Sequence, residues 1–200
     1  MLALIMAGGE GRRLNLGEKP LVSLANRPMI SWVIDAFLAA RCDPVVVTSP
    51  HTPMTVNWCR IQGIDFWKTG GLGYVEDMVA AVIAMDERDP LFVSVSDIPC
   101  VSGDVISRIN ETYRASRKDA CSAWVPSRLV KTERNGMPYH AAVEGTDACP
   151  AGINILRGDR IDTPQDEVQV LIDDAGLALN VNTRSDRERA ELFLRSLEIR

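Results

Sequence analysis

The stretch Ala7-Gly8-Gly9-Glu10-Gly11-Arg12-Arg13-Leu14, with Gly17-Glu18-Lys19-Pro20-Leu21 behind it, holds the residues best suited to chemistry. Glycines that leave a strand let backbone N–H groups approach phosphate oxygens with no side chain in the way. Ala7, Gly8, Gly9 and Gly11 are therefore candidate nucleotide contacts. Spacing excludes two familiar phosphate loops. The dinucleotide fingerprint needs a third glycine where Leu14 stands. The Walker A loop needs Gly-Lys-Ser/Thr after its spacer, and that sequence does not occur. What remains is a glycine loop followed by Arg13 and, six residues on, Lys19. Both cations can reach one polyphosphate and offset its repulsion toward an incoming anion. Arg12 reads either as a further phosphate contact or as a solvent-facing side chain.

Other reactive side chains are sparse. The two histidines, His51 and His140, exclude a multi-histidine metal site and read first as surface or structural residues. Cys42, Cys59, Cys100, Cys121 and Cys149 are odd in number and form no CxxC pair, which disfavours zinc and disulfide frameworks. They read as small buried side chains in a reducing cytoplasm. The lack of a convincing general base suits a phosphate monoester acceptor. With a second pKa of about 6, such a group is largely ionised near neutrality and needs alignment more than deprotonation.

Lys and Arg total 22 against 27 Asp and Glu, a balance of −5 with no basic block, so nucleic acid is a poor partner. No apolar run approaches the ~20 residues that cross a bilayer. The apolar N-terminus lacks the basic lead of a signal peptide. The expectation is a cytoplasmic protein without membrane insertion, its oligomeric state open, a homodimer included.

These residues must be positioned by a chain of 200 residues that is 46% hydrophobic and 24% charged, the profile of one globular domain spanning residues 1–200. Short apolar runs alternate with amphipathic stretches, which predicts an α/β fold with a largely parallel sheet. Strands are expected at 2–7, 45–47, 64–67, 91–95, 120–125, 168–172 and 177–182. Helices are expected at 29–40, 53–61, 74–85, 101–116 and 185–197, the first broken by Asp43-Pro44. Residues 126–147, polar and turn-rich around Asn135-Gly136, read as an excursion or lid, a plain surface loop being the alternative. Its Arg128, Lys131 and Arg134 read as a solvated face, with contact to an acceptor phosphate as the alternative.

The glycine loop with Arg13-Leu14 and Lys19-Pro20-Leu21 resembles the nucleotidyltransferase superfamily of sugar-nucleotide and molybdenum-cofactor guanylyltransferases. The resemblance extends toward one family, the archaeal GTP:adenosylcobinamide-phosphate guanylyltransferases of cobalamin synthesis. It is carried by Ala3-Leu4-Ile5-Met6-Ala7-Gly8-Gly9, Thr48-Ser49-Pro50-His51-Thr52-Pro53, Gly71-Leu72-Gly73-Tyr74-Val75-Glu76-Asp77, Pro150-Ala151-Gly152-Ile153-Asn154 and Asn180-Val181-Asn182-Thr183. Two departures are Arg12, where many members carry a small residue or threonine, and Leu14-Asn15-Leu16, which alters the usual Met-Gly.

The resemblance implies a Rossmann-like nucleotidyltransferase fold, a mostly parallel central sheet flanked by helices, with the nucleotide at the carboxyl ends of the strands. It implies transfer of GMP from GTP to adenosylcobinamide phosphate with release of pyrophosphate, Arg13, Lys19 and Asp97 being catalytic. Asp97 then holds Mg²⁺, which prefers oxygen ligands; the alternative is that it caps the following helix. Asn182 is the second implied ligand, with capping of the last helix as its alternative. Thr48, on the 48–53 segment, is an implied nucleotide contact, and Thr69, Gly70 and Gly73 fall on the loop that touches the base, a plain turn being the alternative. Glu76 or Asp77 would accept from guanine N1–H and N2–H₂, or would only stabilise a helix start. Gly152 and Asn154, in a turn at 150–154, would face the acceptor. Transfer to molybdopterin or a sugar 1-phosphate is the neighbouring alternative, and a non-catalytic nucleotide-binding regulator is the alternative of another class.

Overall fold

The computed structural model describes residues 1–9, 11, 14, 16–130 and 139–198. The first apolar run is β1 (Leu2–Met6), followed by a small hairpin of β2 (Ser23–Leu24) and β3 (Arg27–Pro28) and by α1 (Met29–Ala39). Next come β4 (Asp43–Thr48), α2 (Pro53–Gln62), β5 (Phe66–Lys68), α3 (Tyr74–Ala84), β6 (Pro90–Val95) and α4 (Gly103–Ser116). The chain continues through β7 (Ala120–Pro126), β8 (Ala141–Val143), β9 (Thr146–Arg157) and β10 (Glu167–Leu171) to α5 (Arg184–Glu198).

Ala3, Leu4 and Ile5 of β1 are wholly buried. An unbroken apolar run is what a parallel strand covered on both faces requires. Alternate side chains serve opposite layers. Ala3 and Ile5 join Val33 and Phe37 of α1 and Ile106 and Ile109 of α4, whereas Leu4 and Met6 join Met78, Ala81 and Val82 of α3. Neighbours of β1 are β4 on one side and β6 on the other, both parallel, and β5 extends the β4 side. The sheet order is β10-β7-β9-β6-β1-β4-β5, with β9 antiparallel between β6 and β7 and β8 paired to β9. The direction of winding therefore reverses at β1. In open α/β sheets such a reversal leaves a crevice beyond the carboxyl ends of the strands.

Several sequence expectations are corrected. Asp43-Pro44 is not what ends the first helix: α1 stops at Ala39, with Arg41 in the left-handed region at φ 59°, and Asp43-Pro44 opens β4, paired with Leu2 and Ala3. Residues 150–154 are not a turn but the middle of β9, bonded to both β6 and β7. The turn signal came from Gly152, at φ 78° beside a register shift in the β7–β9 ladder; such a bulge takes a glycine without ending the strand. Residues 177–182 are not a strand either. Leu177 N–H donates to Asp174 Oδ1 at 2.7 Å and Val181 N–H to the Asp97 carbonyl at 2.8 Å, so this backbone bonds to loops. Its apolar Leu177 and Val181 are buried all the same, which gave a strand-like pattern. Of the 126–147 excursion, its start is a short 3-10 turn and its end the β8–β9 hairpin; residues 131–138, with Lys131, Arg134 and Asn135-Gly136, lie outside the described residues.

Candidate active site

The crevice at the reversal is a cavity of about 520 Å³ lined by Gly8, Gly9, Gly11, Lys19, His51, Gly71, Gly73, Tyr74, Asp77, Asp97 and Asn182, among others. Its floor is the end of β1. Ser49 Oγ, beyond β4, donates to the Gly8 carbonyl at 2.6 Å and accepts from His51 N–H at 3.1 Å, tying the glycine loop to the start of α2. Gly11 has φ 60°, and a Cβ there would lie 2.6 Å from Lys19 Cβ, so only glycine lets the loop close on the lysine.

Lys19 is the one Lys or Arg lining this cavity among the described residues. Its backbone is anchored by its neighbour, because the Glu18 carboxylate accepts from Met54 N–H at 2.6 Å and from Thr55 N–H and Oγ at 2.7 and 2.6 Å. These bonds supply the α2 cap that Thr52 does not provide. Lys19 Nζ pairs with Asp97 Oδ2 and donates to Asn182 Oδ1 at 2.8 Å. Asn180 Nδ2 donates to the other Asp97 oxygen at 3.0 Å, and Asn182 Nδ2 donates to Asn180 Oδ1. The helix-cap alternatives for Asp97 and Asn182 are thereby excluded. Ser102 caps α4 by accepting from Val105 N–H, and Thr183 with Asp186 caps α5.

Tyr74 opens α3 at the wall of the cavity. The residue is 44% exposed, and partial loss of its water shell, with the Asp97 carboxylate nearby, pushes the phenol above the ordinary tyrosine value. Asp77 is buried and accepts at Oδ1 from Gly71 N–H at 3.0 Å and Leu72 N–H at 3.3 Å, which folds the 69–73 loop onto the helix start. The Glu76 carboxylate lies over Gly73 outside the lining. Thr48 is fully buried, its hydroxyl donating to the Trp67 carbonyl at 3.0 Å, and Thr69 Oγ donates to the Thr48 carbonyl at 2.9 Å. Those two hydroxyls join β4 to β5 and do not face the cavity. Ala7, Gly70 and Asn154 are also outside the lining, and Gly152 stands behind it, against Val95. Arg128 is paired with Asp173. Arg12 and Arg13 lie outside the described residues.

Sequence reasoning missed Glu18, Asn180 and Tyr74. Glu18 acts on a helix 36 residues away, and Asn180 on Asp97 from 83 residues away, so neither had a local signal. Among the described residues no group of three or more His, Cys, Asp or Glu side chains forms a metal cluster. Magnesium needs no such cluster, since one or two protein oxygens plus substrate phosphates commonly hold it. Asp97 Oδ2 and Asn182 Oδ1 fit that pattern, being hard oxygen donors that already converge on a cation, the Lys19 ammonium.

A glycine-floored crevice at a sheet reversal, with a lysine and an aspartate at its centre, defines a nucleotide-handling α/β protein. The chain belongs to the MobA-like NTP transferase domain family, whose model matches residues 3–160, and it is a nucleotidyltransferase. It is 29% identical to the adenosylcobinamide-phosphate guanylyltransferase of Methanocaldococcus jannaschii over 98% of both chains. It is also 29% identical to the molybdenum cofactor guanylyltransferase of Shewanella halifaxensis, over 54% of this chain and 52% of that protein. Its fold is that of a hypothetical transferase from Thermus thermophilus (TM-score 0.70, 16% identity, 93% of this chain and 98% of that one). It is equally that of a CMP:2-keto-3-deoxy-manno-octonic acid synthetase complexed with CTP (TM-score 0.70, 15% identity, 98% of this chain and 99% of that one). Nucleotidyltransferases typically work with a divalent metal. Among the described residues no helix is long and apolar enough to cross a membrane.

Proposed function

We propose that this protein transfers GMP from GTP to adenosylcobinamide phosphate, giving adenosylcobinamide-GDP and pyrophosphate. The observation that carries the reading is the end-to-end likeness to the Methanocaldococcus jannaschii enzyme, against half-length likeness to a molybdenum cofactor guanylyltransferase. In the reaction an acceptor phosphate oxygen attacks the α-phosphorus of GTP in line, and the bond to the β-phosphate bridging oxygen breaks. The acceptor arrives ionised, so the protein supplies alignment and charge rather than deprotonation. Amides of Gly8, Gly9 and Gly11 cradle the phosphates, and Arg13 and Lys19 stabilise charge on the leaving pyrophosphate. Asp97 and Asn182 hold Mg²⁺, which when bound neutralises phosphate charge. The 69–73 loop, shaped by Asp77, meets the guanine, with the Glu76 carboxylate over Gly73 at its edge. The buried free thiols suit a cytoplasmic enzyme.

Pyrophosphate release from GTP and Mg²⁺, measured with and without adenosylcobinamide phosphate and with the product weighed by mass spectrometry, tests the reading. Acceptor-dependent release with a GDP-linked product is expected. Release only with molybdopterin or a sugar 1-phosphate would move the acceptor assignment, and GTP binding without release to any acceptor would indicate a regulator. Lys19→Ala and Asp97→Ala should each lower kcat by about 10²-fold; near-normal turnover in both would remove these roles.

A further inference from the structure

Asp97 leaves the sheet at the end of β6 and Asn182 precedes α5, yet one oxygen of each is aimed at a single point. Asn180 sets that aim, since it donates to Asp97 Oδ1 and accepts from Asn182 Nδ2, leaving Asp97 Oδ2 and Asn182 Oδ1 turned together. The Lys19 ammonium sits at that point, bound to both. The pair is sheltered, the Lys19 and Asp97 side chains being only 16% and 15% exposed. Two like charges cannot share it, because repulsion at contact distance in a partly buried site far exceeds thermal energy.

We propose that Lys19 is the resident cation of the Asp97–Asn182 oxygen pair in the nucleotide-free protein, so that a divalent cation enters only when a triphosphate draws the ammonium away. Metal and nucleotide then load together, and a bare metal ion is refused. The backbone favours such an exchange. Gly11 packs on Lys19 Cβ and Glu18 is anchored to α2, so the main chain at residue 19 is held while the four-carbon stem can swing toward the glycine loop. The inference rests on the metal-binding role given above to Asp97 and Asn182 and not on the identity of the acceptor.

The test is Mn²⁺ binding to the full chain without nucleotide, read from the electron paramagnetic resonance signal of free Mn²⁺. Lys19→Met, which keeps the stem and loses the charge, should bind Mn²⁺ at least about ten-fold more tightly than wild type. Adding Asp97→Asn to that variant should abolish the gain. Lys19→Gln, able to hydrogen-bond both oxygens without charge, provides a second folded variant with the same expectation, and circular dichroism melts certify each protein. Equal or weaker Mn²⁺ binding in the lysine variants overturns the proposal, as does a gain that survives Asp97→Asn. Failure of guanylyl transfer would appear instead in the pyrophosphate assay, with the Mn²⁺ result unchanged.

Discussion

Asn180 is exposed and touches its targets through side-chain bonds alone, yet it sets the direction of both oxygens that converge on Lys19. Under the proposed metal-holding role of Asp97 and Asn182, it is a positioning residue rather than one that meets substrate. Removing a hydrogen-bond partner that orients a ligand typically costs ten- to a hundred-fold in affinity or activity. Asn180→Ala should therefore lower kcat about ten-fold while leaving KM for GTP within about two-fold and the melting temperature nearly unchanged. Steady-state kinetics beside a thermal melt check this, and a fall in stability with no kcat effect would make Asn180 structural. The same side chains explain what could be read early. Lys19 was legible because a lysine at fixed distance from a glycine loop has one obvious use. Asn180 was not, because its partner lies 83 residues away and an asparagine carries no charge to announce it.

At the scale of elements, the cavity depends on how α2 and α5 are tied down. The first turn of α2 has no cap of its own, and the Glu18 carboxylate supplies three hydrogen bonds there. Glu18→Ala should cost about 1–2 kcal/mol, read as a lowered urea midpoint, and should also reduce turnover because Lys19 is the next residue. For α5 the anchor is Asp186. Burial pushes its carboxyl up, but N–H donors of Asn182 and Thr183, with Arg189 and the Thr183 side chain, outweigh that and hold it below the usual carboxylate range. A carboxyl lowered on folding stabilises above its unfolded pKa, and this contribution is lost as pH falls through the folded value. Asp186→Asn should thus be less stable than wild type by about 1–2 kcal/mol at pH 7, with the difference closing in denaturation series taken down through and below the ordinary carboxylate range. A gap independent of pH would assign the loss to packing. The β9 strand illustrates the limit of local reading: a glycine bulge looks like a turn until partners on both sides are known.

For the whole molecule, two layers of helices over one sheet leave all five cysteines buried as free thiols. Burial raises Cys59 and Cys121 to about 11 and Cys100 to about 12, and raises Cys42 and Cys149 as well. Since the thiolate is the reactive form, a disulfide reagent at pH 8 should modify essentially none of them in the native protein and all five in guanidinium. Rapid native labelling of several would mean that the layers open readily. The alternation of apolar runs and amphipathic helices was legible throughout, because strand and helix periodicities arise from neighbours in sequence. So was the glycine loop, whose proposed role follows from the absence of side chains. Tertiary structure alone decided that Asp97 and Asn182 meet Lys19 with Asn180 bridging the two, that Glu18 caps α2, that Asp77 shapes the 69–73 loop, and that Thr48 and Thr69 face the sheet. Each of these depends on pairing between segments far apart in the chain, which no spacing encodes.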